Sequence, residues 1–242
     1  MDIRIFETAG EAARAVARRV AEALRRTPDL VLGLPAGRTP VEAYAELRRL
    51  HASGEADFSR ATAFLLDEFV GVDSSHPASF RRFLNEHVLS GINLEPARTH
   101  ALNGMAGDAV AECVRYEDMI AAAGGLGLIL LGIGVNGHVG FNEPGESLVA
   151  CTHRVTLLEV TRWDNATLFG GDLARVPTEG LSMGMGTILH AHAVVMIATG
   201  ERKSAAVRAM VRGPLTTQLP ASLLQLHRGV EVYLDRAAAS SL

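Results

Sequence analysis

Short apolar runs of strand length alternate with amphipathic helical stretches along almost the whole chain, and this alternation leaves few folds open. A strand followed by a helix that packs back on the sheet builds βαβ units, and repeated units give a parallel sheet. Strands are predicted at residues 3–6, 30–34, 63–66, 126–131, 193–199 and 230–234. Helices are predicted over 12–26, 41–51, 78–87, 108–123 and 201–212, the first behind a possible capping box at Thr8 and Glu11. No internal repeat, low-complexity tract or linker interrupts the pattern. The expected fold is therefore α/β, an open, mostly parallel Rossmann-like sheet with helices on both faces, in a single domain over 1–242.

Composition closes off other classes. Hydrophobic residues make up 48% and charged residues 21%, which is globular rather than disordered. The longest nearly continuous apolar run, 126–135, is about half of the ~20 residues a membrane-spanning helix needs, so no membrane association is expected. The net charge of −4 comes with scattered basic residues, which leaves no footprint for nucleic acid. The N-terminus lacks the basic and apolar segments of a leader, and Cys113 and Cys151 stand far apart without metal-ligand spacing, so a reducing, cytoplasmic setting is expected with both thiols in or near the core.

Ligands of open parallel sheets bind beyond the carboxyl ends of the strands, so the loops there are the ones to read. The first, Pro35-Ala36-Gly37-Arg38-Thr39-Pro40, offers free N–H groups, a hydroxyl and a helix N-terminus, which suits an anion but also suits a plain βα turn. The second opens with Asp67 and Glu68. A carboxylate there could take a proton from carbon next to a carbonyl, and an ordinary Asp would be fully ionised at neutral pH. A purely structural reading has Asp67 capping the next turn and Glu68 in solvent.

The third loop runs from Gly132 to Pro144 and contains Gly132-x-Gly134-x-x-Gly137, a literal dinucleotide fingerprint. That fingerprint must open a long helix, whereas His138, Gly140 and Pro144 follow here, so nicotinamide binding is not expected. What remains is a loop presenting Asn136, His138, Asn142 and Glu143, with an imidazole suited to passing protons near neutral pH. No compact metal-ligand set is present in the sequence, and no metal site is expected.

These segments together resemble the glucosamine-6-phosphate deaminases, within the wider group that includes 6-phosphogluconolactonases. The resemblance covers nearly the whole chain. It is carried by residues 32–40, by Leu66-Asp67-Glu68-Phe69-Val70-Gly71 with His76-Pro77, by 132–144, and by Pro220-Ala221-Ser222 with Leu226-His227. The string Asn-Gly-His-x-x-Phe-Asn-Glu-Pro is its most specific part. The resemblance implies an enzyme, a hydrolase or isomerase that converts glucosamine 6-phosphate to fructose 6-phosphate and ammonia, without metal or organic cofactor. Asp67 would move the proton between C2 and C1, His138 would open the ring, and Asn136 and Glu143 would orient His138. Ala36, Gly37, Arg38, Thr39, Gly132 and Lys203 would hold the substrate, a small amino-sugar phosphate, beneath a lid at about 156–179.

Three departures from the family pattern stand out. Asn136 replaces a common Asp, Ala36-Gly37-Arg38-Thr39 replaces Thr-Gly-Gly-Thr or Thr-Gly-Ser-Thr, and Thr167 stands where the family has a phosphate-binding Arg. After His138 the chain lacks the Thr-Ala-Ser-Leu-Phe-Pro of the lactonases and has Asp-Glu-Phe rather than their Asp-Glu-Arg. A lactonase-like hydrolase and a non-catalytic sugar-phosphate sensor are the alternatives. The short C-terminal end, and His153 where the family's allosteric Arg lies, lead us to expect a monomer without allosteric activation.

Overall fold

The computed structural model describes residues 1–242. In chain order the elements are β1 (Asp2–Phe6), α1 (Ala9–Arg26), β2 (Val31–Leu34), α2 (Val41–Ala52), β3 (Thr62–Leu65), β4 (Asp67–Phe69), α3 (Phe80–His87), β5 (Thr99–His100), α4 (Ala109–Ala122) and β6 (Leu128–Leu131). They continue with β7 (His153–Thr156), α5 (Glu159–Asn165), β8 (Glu179–Ser182), α6 (Met185–Leu189), β9 (Ala193–Ala198), α7 (Ser204–Arg212) and β10 (Val230–Asp235). Seven strands form one sheet in the order β1-β10-β9-β6-β2-β3-β5, every pair parallel.

Alternation along each strand sorts the core onto the two faces. On β6, Leu128 and Leu130 pack with α1, α2 and α3, through Val16, Val20, Tyr44, Leu47 and Leu84. Ile129 and Leu131 point the other way, toward Cys113, Tyr116 and Ile120 of α4 and Val207 and Met210 of α7. Val195 and Ile197 of β9 join the first set, while Val194 and Met196 join the second. A strand buried on both faces reads as a continuous apolar run, which is why these strands were legible in the sequence.

The helix starts follow their caps. Thr8 Oγ1 accepts from Glu11 N at 3.2 Å, and Glu11 reaches back to Glu7 N at 3.0 Å, one residue short of a reciprocal capping box. Asp108 lies outside α4 and caps it, accepting from Val110 N and Ala111 N. Two predicted starts move inward. The helix expected at 78 begins at Phe80 behind its cap Ser79, and the one expected at 201 begins at Ser204, after a single 3-10 turn over Glu201–Lys203.

A second sheet was not expected. Asp67–Phe69, read as loop, forms β4 and pairs antiparallel with β8, which pairs antiparallel with β7. The three strands are too short and too mixed in polarity to show a period of two. Beside this small sheet lies a satellite core of Phe69, Phe80, Phe141, Leu157, Phe169 and Val176 with their neighbours. Phe69 meets Phe80, Phe141 and Phe169 at centroid distances of 4.8, 5.2 and 5.3 Å. The cluster ties the 132–144 loop to the segment at 156–179. Cys113 is buried as expected, but Cys151 is exposed, a correction to the placement of both thiols in the core. No helix is long and apolar enough to cross a membrane.

Candidate active site

The chain moves from β2 outward to β3 and β5, then returns to place β6 on the other side of β2. Loops leaving β2 and β6 therefore diverge, and the crevice between them is the topological switch point of the sheet. A cleft of about 190 Å³ opens there, lined by Ala36, Gly37, Arg38, Thr39, Asp67, Gly132, His138 and Lys203 among others. Eight of the ten residues singled out in the sequence thus share one cavity; Asn136 and Glu143 stand behind it. Asp164, Asn165, Thr167 and Leu168, from the 156–179 segment, form part of its wall.

Asp67 and Glu68 reverse the structural reading of their sequence. Glu68 is buried and accepts from Phe69 N (2.9 Å), Phe80 N (3.2 Å), Arg81 N (3.1 Å) and Ser79 Oγ (2.7 Å), so it is the carboxylate that holds the N-terminus of α3. Asp67 caps nothing. Its carboxylate accepts no hydrogen bond from the protein and faces the cleft. Burial, reinforced by the negative charge of Glu68, pushes its pKa up to about 8, so it is not the ordinary, fully ionised Asp that its residue type suggests. Gly140, at φ +58°, has its backbone beside it: a Cβ there would lie 3.1 Å from Ser182 Oγ and 3.6 Å from Asp67 Oδ2.

His138 is fixed by a chain of donors that begins at Glu143. Asn136 Nδ2 donates to Glu143 Oε2 at 3.0 Å, which settles the orientation of the amide, because a carboxylate can only accept. Asn136 Oδ1 then faces His138 Nδ1 at 2.7 Å and must accept from it. The proton therefore sits on Nδ1, and Nε2 keeps its lone pair. Burial first, with help from Lys203 and against the pull of Asp164, brings the His138 pKa down to about 4, so the ring is neutral across the physiological range. Gly134 lies flat beneath the imidazole, where any Cβ would collide with it. The Gly-x-Gly-x-x-Gly spacing thus seats a histidine rather than a dinucleotide. Asn142 does not present itself to a ligand: it is buried and donates to Val139 O (2.9 Å) and Met183 O (2.8 Å), tying the loop to the end of β8.

At the mouth of the cleft stand two unpaired cations. The side chains of Arg38 and Lys203 make no ion pair, while the nearby Asp164 is bound to Arg202 at 3.1 Å. Burial lowers the Lys203 pKa; Asp164 raises it, and Arg202 and Arg38 lower it further. No side chain caps the first turn of α2, where Val41 N donates to Arg38 O at 3.3 Å and the N–H groups of Glu42 and Ala43 have no partner. Lys203 carries a signal that the motif reading passed over: it is the only lysine in a chain with 22 arginines. A composition that uses Arg everywhere else marks this position as one where a compact, mobile ammonium is needed.

Sequence reasoning missed Thr161 altogether. It is fully buried on α5, with Oγ1 3.1 Å from His138 Nδ1. The Pro220–Leu226 segment supports the site from behind, since Ala221 N donates to Gly137 O at 3.0 Å and Leu219 packs against Gly137.

A parallel sheet with an unpartnered buried carboxylate, a neutral imidazole and free cations at its switch point has the parts to move protons beside a bound anion. The chain belongs to the family of glucosamine-6-phosphate isomerases and 6-phosphogluconolactonases, whose model matches residues 6–233. It is 46% identical over 242 residues to a glucosamine-6-phosphate deaminase of Pseudarthrobacter chlorophenolicus, covering all of this chain and 93% of that one. A second glucosamine-6-phosphate deaminase, of Clostridium perfringens, is 43% identical over 96% of both chains. Among solved structures, a monomeric glucosamine-6-phosphate deaminase superposes over the full length of both chains with a TM-score of 0.97 and 40% identity. The 6-phosphogluconolactonase of Trypanosoma brucei shares the fold, with a TM-score of 0.76 at 19% identity over all of this chain and 98% of that one.

Proposed function

We propose that this chain isomerises and deaminates glucosamine 6-phosphate, adding water and releasing fructose 6-phosphate and ammonia. The observation that carries the reading is the pairing, in one cleft, of an unpartnered Asp67 with a His138 whose Nε2 is free. Ring opening needs a group that takes a proton from the O1 hydroxyl and returns it to the ring oxygen, and a neutral imidazole does both. Asp67 then takes the proton from C2 and delivers it to C1. The resulting imine at C2 is hydrolysed, which accounts for the water consumed and the ammonia released. The reaction is thus an isomerisation with loss of the amine, rather than the simple hydrolysis that the word hydrolase suggests.

An amino sugar suits Asp67 in particular. Buried near Glu68, the carboxyl resists ionisation, and a substrate ammonium at C2 brings the positive charge that favours the carboxylate. At the other end, a phosphate monoester carries about −1.5 to −2. Lys203, Arg38, Thr39 and the open first turn of α2 would share that charge, with Ala36, Gly37 and Gly132 leaving the backbone close to the ligand. The 156–179 segment acts as a lid, in one domain with the sheet. We further propose that the protein acts as a monomer, like the monomeric deaminase it superposes on, and in the cytoplasm, where its two free thiols would stay reduced.

A coupled assay decides the reaction: ammonia and fructose 6-phosphate are expected from glucosamine 6-phosphate, with galactosamine 6-phosphate and 6-phosphogluconolactone run beside it. Turnover of the lactone without ammonia release would replace the reading with that of a hydrolase. Binding without turnover of any of the three would make the protein a sensor.

A further inference from the structure

Glu143 Oε2 stops 3.7 Å from His138 Nδ1, beyond hydrogen-bond reach, and of the two links between them only one runs through the loop that carries both residues. The first is the amide of Asn136. The second starts on the lid. Leu158 N, just before α5, donates to Glu143 Oε1 at 3.1 Å. Three residues on, Thr161 turns its side chain inward, fully buried, and sets Oγ1 3.1 Å from His138 Nδ1. Since the Nδ1 proton already points at Asn136 Oδ1, the threonine oxygen meets it as a second acceptor and retains its own proton to donate. Burial raises the Glu143 pKa and the Thr161 hydroxyl pulls it back, so that hydroxyl lies within the field of the carboxylate.

We propose that Thr161 is a positioning residue for ring opening: from the lid, its hydroxyl bridges Glu143 to the Nδ1–H of His138 and so holds Nε2 toward the substrate. This inference rests on the proposed role of His138. Its physical basis is that a ring held by one acceptor can still turn about Cβ–Cγ, whereas two acceptors on one N–H define its plane. A general base must sit within hydrogen-bond reach of the proton it takes, so a ring free to turn loses catalysis even in the right tautomer. Asn136 is neutral, so it orients without charge, and Thr161 supplies the second contact on Nδ1, beside a Glu143 carboxylate whose Oε2 lies 3.7 Å from that nitrogen. Lys203 and Asp164 also act on the ring, with opposite signs, and Asp164 lies on the same helix as Thr161. Because Thr161 belongs to the lid, His138 is fully oriented only when the lid lies down on the cleft, and ring opening is thereby confined to a covered substrate.

The bland reading of a buried threonine is that it fills space, and Val fills the same space. Thr161→Val and Thr161→Ser separate the two. In 15N-histidine NMR of the unliganded protein, all three proteins are expected to keep the Nδ1–H tautomer that Asn136 dictates, and the Val variant alone to show a shifted and broadened imidazole signal. In steady-state kinetics, Val is expected to lower kcat tenfold or more with KM changed less than about twofold, and Ser to recover to within about threefold of the parent. A Val variant with parental His138 signals overturns the proposal, whether its kcat is kept or falls along with Tm. Should the parent release no ammonia from glucosamine 6-phosphate, the proposed reaction fails, and the NMR comparison alone still decides whether Thr161 fixes His138.

Discussion

Asp67 and Glu68 are adjacent in the chain, yet Glu68 receives four hydrogen bonds, three of them at the start of α3, while Asp67 receives none. On a strand, successive side chains point to opposite faces, so one carboxylate is spent on structure and its neighbour is delivered to the cleft.

Asp67→Asn is expected to abolish turnover while leaving substrate binding nearly intact, because only the proton-transfer transition state loses its base. More than about a tenth of parental activity, a change of only ~1.4 kcal/mol in barrier, would remove this role from Asp67. For the parent, kcat/KM in the free enzyme should rise with pH through about 8 as Asp67 ionises. Stability has the opposite slope. The folded pKa of about 8 lies above the unfolded value of 3.8, so folding holds a proton, and the stability tied to it is present at low pH and lost as pH climbs to about 8. The Asn variant lacks this loss. Its advantage in unfolding free energy should widen from about pH 5 to about pH 8, at up to ~1.4 kcal/mol per pH unit, as urea unfolding would measure.

Glu68→Ala should destabilise the fold by roughly 2–4 kcal/mol, since it removes a buried acceptor and strands the donors of Ser79, Phe80 and Arg81. Urea unfolding measures this as a lower midpoint at unchanged slope. A midpoint equal to that of the parent would mean that α3 is held some other way.

Asn136→Asp should raise the pKa of His138 from about 4, because a carboxylate 2.7 Å from Nδ1 favours the charged ring where the amide does not. The acid limb of the rate profile belongs to Asp67, so the shift is best read on the imidazole itself, by NMR titration. An unmoved midpoint contradicts the 2.7 Å contact.

Arg38 and Lys203 share the mouth of the cleft without partners, and Thr167 offers only a hydroxyl there. Arg38→Ala should therefore raise KM for the phosphorylated sugar tenfold or more, about 1.4 kcal/mol or above. The double change Arg38→Gly with Thr167→Arg should recover much of that loss, since a guanidinium from the lid reaches the same phosphate. Unaltered KM in the Ala variant would place the phosphate elsewhere.

Much of this protein was determined by its sequence alone. Strands buried on both faces must be apolar throughout, and helices that cover them must be amphipathic, so β2, β3, β6, β9 and β10 and their helices show in the order of residues. The strand-end loop with His138 and Glu143, and the place of Asp67 just beyond β3, follow from that pattern and from the specificity of the 132–144 motif. Tertiary structure decided the rest. Which of two neighbouring carboxylates faces the cleft depends on the register of β4 against β8, strands too short to show a period. The pKa of Asp67 near 8 and that of His138 near 4 come from burial, which is a property of what surrounds a group and not of the group. Thr161 carries no motif at all. It meets His138, 23 positions away in the chain, only because the segment with α5 folds back over the loop, and no local pattern in the sequence encodes a contact between two segments that are separately ordinary.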